Sequence, residues 1–151
     1  MNVQNHVYSL FLFLLLSLLL ASCSSESQRR ELTPFEQEHG VGPVTETVQL
    51  GEPDPLLAER GAQLFSTYCM MCHGPGMSRI APELDHLLGR RSAEYTMNMI
   101  LNPVGMSRRH PSRTQNQQGY FTSMPYQQLK VEDARALVEY FRMNPVLFAG
   151  D

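Results

Sequence analysis

The stretch "YCMMCHGPG", Tyr68 to Gly76, sets two cysteines three residues apart and a histidine directly after the second. Zinc, a redox disulfide and a covalently attached haem are the centres such a group can serve. A structural zinc site needs four ligands, usually from a second CxxC or an HxxxH pair. The chain contains neither, and His6, His39, His86 and His110 each stand alone. A thioredoxin-like pair sits at the end of a strand in a βαβ unit, whereas the residues before Cys69 repeat with helical spacing.

That leaves C-x-x-C-H as the attachment signature of c-type haem. Cysteines at i and i+3 rise from one face of a helical turn, so both thiols reach vinyl groups on adjacent porphyrin edges, and the next residue, His73, faces the iron. Covalent attachment also offsets a small core, because a domain of about a hundred residues buries little surface around a large flat cofactor.

Length and composition bound the rest. The 151 residues, 42% apolar and 18% charged, have room for one ordinary globular domain. Twelve Lys and Arg against fifteen Asp and Glu leave no polybasic character, so nucleic acid is not an expected partner. Residues 24–53 hold six acids and two bases, and 54–151 nine acids and ten bases. Arg108, Arg109 and Arg113, with His110 among them, form the only basic cluster, which reads as a solvated loop or as a docking patch for an acidic partner.

The amino terminus reads as an export signal. "LFLFLLLSLLL", Leu10 to Leu20, carries no charge. It is shorter than the roughly 20 apolar residues of a spanning helix and has the length of a signal-peptide core. "LASC", Leu20 to Cys23, resembles the lipobox of bacterial lipoproteins. That resemblance implies a signal peptide over 1–22 and a diacylglycerol on Cys23, tethering an exported protein to a membrane. The leading "MNVQNHVYS" departs from the pattern in having no Lys or Arg. Ser24 after the cysteine resembles outer-membrane sorting where there are two membranes. Residues 23–53, with "SSES", "GVGP" and "GEPDP", show no sustained periodicity and read as a flexible tether.

Residues 54–146 resemble a class I cytochrome c, with 147–151 as a tail. Asp54 and Pro55 supply an N-cap and an N1 proline, and Leu57, Gly61, Leu64, Phe65 and Tyr68 keep helical spacing up to the motif. In "VEDARALVEYFRMNP", Ala134, Leu137, Val138 and Phe141 make the apolar stripe of a last helix stopped by Asn144-Pro145. A third helix runs through "SAEYTMNMILNP" with Ser92 as N-cap. There Tyr95, Met99 and Ile100 read as core and Met97 as a residue off that face. The resemblance implies an all-α fold of three to five helices around one haem c. It implies that Gly61 lets the last helix cross closely, packed by Leu137 and Tyr140. It also implies that the Pro82 carbonyl accepts a hydrogen bond from His73, and that Arg90, in "LLGR", meets a haem propionate.

The nine methionines make the sixth ligand a choice. In the family it lies just before the last helix and is commonly followed by proline, which points to Met124 in "FTSMPYQQLK". Met106, Met77, His110 and His86 are the rivals. The long polar run 104–121 would cover the propionate edge or meet a partner.

The function implied is electron transfer, not enzymatic, by a membrane-anchored monohaem carrier in an extracytoplasmic respiratory chain. Its redox partners would be a quinol-oxidising complex on one side and a terminal oxidase or periplasmic reductase on the other. The alternatives are a haem-c gas sensor or peroxide-reactive catalyst, and a fixed subunit of a respiratory complex.

Overall fold

Asp54 begins the helix that carries the motif. Its carboxylate accepts from the N–H groups of Leu56 and Leu57 at 3.0 and 3.1 Å, and Pro55 occupies the first helical position, where no N–H is needed. The computed structural model describes residues 30–111, 119–120 and 122–147. The chain divides into Met1–Glu31 and Leu32–Asp151, and of the first unit only Arg30 and Glu31 are described. The signal peptide, Cys23, Arg113 and residues 148–151 therefore lie outside the described residues.

In the second unit the described residues form seven helical segments and no strand. They are α1 (Pro34–His39), α2 (Pro55–Tyr68), α3 (Met70–His73), α4 (Leu87–Arg90), α5 (Ala93–Leu101), α6 (Pro103–Arg109) and α7 (Val131–Met143). The architecture is all-α, with α2, α5, α6 and α7 as its longer members. The most extensive helix packing joins α2 to α7. Phe65 of α2 meets Tyr140 at 5.4 Å between ring centroids and Phe141 edge-on at 5.9 Å. Leu137 and Val138 of α7 and Met97 of α5 complete this core.

Gly61 is where the two helices touch. A Cβ there would stand 2.8 Å from both the Ala136 carbonyl carbon and Tyr140 Cβ, closer than real contacts come. Only glycine admits this approach, at a helix-propensity cost of about 1 kcal/mol relative to alanine. Tyr140 is a contact as expected, and the nearest atoms of all belong to the backbone of Ala136, while Leu137 lies in the core.

The carboxy-terminal part of the expected tether, from Leu32 on, is a docked strap, because the compact unit starts at Leu32 and not near Asp54. Thr33 and Glu36 form a capping box for α1: Glu36 N–H donates to Thr33 Oγ1 at 3.2 Å, and Thr33 N–H to Glu36 Oε2 at 2.8 Å. Beyond α1 the chain lies along the back of α5. Asn98, fully buried, accepts from Val44 N–H at 3.0 Å and donates to Val44 O at 2.9 Å, His39 O at 3.2 Å and Gly40 O at 3.3 Å. Asn102 donates to Val41 O at 2.8 Å, and Glu94 accepts from Val48 N–H at 2.8 Å. Gly40, at φ 84, sits against Met106, whose sulfur accepts from Val41 N–H at 3.1 Å. Arg142 of α7 reaches the strap's end, donating to Gly51 O at 2.8 Å.

Two further expectations change. Met97 is 2% exposed and belongs to the core, because α5 is covered on both sides and has no solvent face for it. The run 104–121 is helical as far as Arg109, since Asn102 caps Gly105 N–H at 3.1 Å and Pro103 starts α6 directly after α5. Arg108 and Arg109 thus stand in a helix's last turn, where their charge suits the dipole.

Buried charge is also present in α7. Glu139, with no exposure, lies 2.5 Å from Arg135 and 2.7 Å from Arg142, both less than a quarter exposed. A carboxylate this enclosed persists only with such partners.

Candidate metal centre

The turn Cys69–His73 follows α2 directly. Cys69 N–H bonds to Phe65 O at 2.9 Å, and Cys69 O accepts from Cys72 at 3.1 Å and His73 at 2.8 Å. One helical turn therefore carries Cys69, Cys72 and His73 together, the arrangement their spacing predicts. Cys69 is buried and Cys72 partly so, and no disulfide joins them. Before any attachment, burial, with Cys72 adding to it, pushes the Cys69 thiol up to about 11.

His73 is oriented by the segment that follows. Its Nδ1–H donates to the Pro82 carbonyl at 2.9 Å. Burial lowers the imidazole's affinity for a proton, and the bond to Pro82 opposes that only in part. The ring is thus neutral near pH 7, with Nδ1 as donor and the Nε2 lone pair left for a metal. The Pro82 segment is itself fastened: His86 N–H bonds to Pro145 O at 2.6 Å and Leu147 N–H to Asp85 Oδ1 at 2.8 Å. Leu147, expected in a tail, is the last described residue of the domain and packs on its core.

These residues border a cavity of about 460 Å3, within the roughly 300–1,000 Å3 of cofactor sites. Both cysteines, His73, Pro82, Arg90 and Met124 lie on its wall. Its remaining wall is largely apolar, from residues such as Ile80, Leu84, Leu87, Ile100 and Phe141. Two thiols on one turn, an imidazole held as a neutral ligand, a thioether and an apolar slot fit a flat macrocycle with a central iron. Arg90 spends one guanidinium nitrogen, Nη2, on Glu83 O at 3.2 Å and Asp85 O at 2.7 Å. It braces the Pro82 segment while bordering the cavity.

The rivals of Met124 are placed elsewhere. Met106 is 1% exposed beneath the strap. His110 is buried, donates through Nε2 to Gln37 O at 3.0 Å and meets Tyr95 edge-on. Met77 and His86 are absent from the cavity wall, and among the described residues no cluster of His, Cys, Asp and Glu forms another metal site. Spacing alone did not bring out two wall residues, Met99 and Arg91. Periodicity assigns Met99 to the core, and Arg91, stacked over the Tyr95 ring at 4.8 Å, has no motif to mark it.

Comparison with protein families matches residues 58–144 to Cytochrome c. Among solved structures, a cytochrome c from Rhodothermus marinus is 43% identical, covering 75% of this chain and 97% of its own, with a TM-score of 0.67. An engineered variant of that cytochrome, Rma TDE, is 42% identical over 75% of this chain and 98% of its own, TM-score 0.66. The same variant bound to a carbene intermediate is 43% identical over the same shares, TM-score 0.64. Comparison with curated proteins finds no significant match.

Proposed function

Because the chain belongs to the cytochrome c family and carries one covalently attached haem c, we propose that it is a lipid-anchored, monohaem electron carrier outside the cytoplasm. The haem supplies an iron that takes up and gives back one electron. The chain's part is to hold that iron in unchanged surroundings through both states. Cys69 and Cys72 would hold the haem through thioether links, and His73 and Met124 would hold its iron. The observation that carries this reading is the convergence of His73 and Met124 on one cavity, with the imidazole ring pinned by the Pro82 carbonyl. A thioether opposite an imidazole favours the reduced iron more than a second imidazole does. Pro125 stiffens the segment that presents it. Arg90, on the same wall, is assigned to a propionate.

The anchor belongs to the same reading. Lipidation of Cys23 would leave nine residues, Cys23–Glu31, before the compact unit, which extend over at most about 30 Å. The search for a redox partner is then confined to a thin layer at the membrane, which raises effective concentration. The partners we infer are a quinol-oxidising complex as donor and a terminal oxidase or periplasmic reductase as acceptor. The domain contains a single lysine, Lys130, so charged docking falls to arginine.

Carbon monoxide tests the carrier assignment. The reduced protein is expected to keep its absorption spectrum when the gas is added, because Met124 occupies the position the gas needs. A rapid spectral change in the native protein would favour a sensor or a catalyst. For the anchor, Cys23→Ala should release the protein from the membrane fraction, and retention there would refute lipid tethering.

A further inference from the structure

Among the methionines of the described residues, Met124 and Met99 stand on the wall of the haem cavity. Met99 lies on α5 in register with Tyr95, Thr96, Ile100 and Pro103, at i+4 from Tyr95, and all of these border the same cavity. Its helical neighbours Met97 and Leu101 turn instead into the core, at 2% and 6% exposure. The wall on the His73 side comes from Pro82, Leu84 and Leu87, in the segment bonded to that ring. Met99 and Met124 come from separate elements that complete the enclosure.

The two thioethers are carried very differently. Met99 is on a helix capped by Ser92, whose Oγ accepts from Tyr95 N–H at 3.0 Å, and fastened behind by Glu94, Asn98 and Asn102 to the strap. Met124 is on an irregular segment. Among the described residues, no backbone hydrogen bond ties Thr122–Leu129 to a helix. Gln128 in that segment takes φ 56, a left-handed conformation uncommon for residues other than glycine. Withdrawing Met124 therefore breaks no backbone hydrogen bond to the helices, whereas Met99 cannot leave without α5. Methionine is unbranched and turns about three side-chain bonds, so a sulfur on a fixed helix can still be redirected.

The geometry points to Met99 as a second thioether able to take the iron position assigned to Met124 when Met124 departs. In this exchange the Met124 sulfur–iron bond breaks and a Met99 sulfur–iron bond forms. Both ligands are neutral, so no proton or electron is exchanged and the iron keeps its oxidation state. The inference rests on the assignment of His73 and Met124 as the resident pair.

Four holoproteins test it: native, Met99→Leu, Met124→Ala and the double variant. Each is checked for the mass of attached haem and then scanned, oxidised, for the weak far-red band of sulfur ligation. The band is expected in native and Met99→Leu, displaced but present in Met124→Ala, and lost in the double variant. Imidazole added to the oxidised protein should bind at least about tenfold more tightly to the double variant than to Met124→Ala, where Met99 competes for the site. Loss of the band in Met124→Ala with equal imidazole affinities in both would overturn the role of Met99 while leaving Met124 as ligand. Loss in Met99→Leu alone would make Met99 the resident ligand, and persistence in the double variant would exclude both. Either of these last results overturns the axial assignment as well.

Discussion

Replacing Asn98 with alanine tests how the strap is held. Its side chain satisfies both polar groups of buried Val44, the N–H at 3.0 Å and the carbonyl at 2.9 Å. Truncation strands that donor and acceptor where water cannot reach them, at about 1–3 kcal/mol for each. The longer bonds to His39 O and Gly40 O, at 3.2 and 3.3 Å, add less. The expected loss is therefore about 2–6 kcal/mol, bounded above by the free energy with which the strap docks. In urea, with a slope of about 2 kcal/mol per molar, the midpoint should fall by about 1–3 M. Haem absorbance follows the core, and limited proteolysis reports the strap. If the strap detaches first, cleavage within residues 40–50 should accelerate before the core melts. A midpoint within about 0.3 M of native, with unchanged slope and unchanged proteolysis, would refute the claim that Asn98 pins the strap.

Further outcomes follow from other contacts. Gly61→Val should destabilise by about 1–3 kcal/mol, since its side chain must displace the backbone of Ala136; thermal unfolding measures this, and an unchanged midpoint would mean the helices part freely. Glu139→Ala leaves Arg135 and Arg142 without their buried counter-ion and should cost about 3–5 kcal/mol in denaturant titration. Asp133 titrates below the usual carboxylate range, chiefly because Lys130 N–H donates to it and further because Arg60 lies beside it. Its folded value is depressed, so its contribution is full above the unfolded value near pH 4 and is lost as pH falls through the lower folded one. The stability difference between native and Asp133→Asn should accordingly vanish in strong acid and be constant above about pH 5. With Cys69→Ala and Cys72→Ala together, the protein should lack the mass of a covalently bound macrocycle.

The elements that could be read from sequence are those whose signals are local. Asp54-Pro55, Ser92 and the CxxCH turn each fix structure within a few residues, and α2 and α5 begin where Asp54 and Ser92 place them. The Pro82 bond to His73 was legible by family resemblance. The strap was not, because polar side chains of Asn98, Asn102 and Glu94 hold its backbone, and such contacts impose no hydrophobic period. Its one local sign was the Thr33-Pro-x-Glu36 capping box. Met97 and Met99 were misread together: periodicity assigns a helix one inner face, whereas α5 is covered by core on one side, strap behind and cavity in front. Nor could spacing tell that Gly61 meets the main-chain carbonyl of Ala136 as well as the Tyr140 side chain.

The bond from His73 to Pro82 has an evolutionary consequence. Its acceptor is main chain, so no exchange of side chain at position 82 deletes it; a mutation can only shift the segment that carries it. The electron-donating power of the imidazole is thereby shielded from genetic drift. On the ligand pair proposed above, heritable adjustment of redox poise would then fall more readily on Met124, a side chain that a single codon can change.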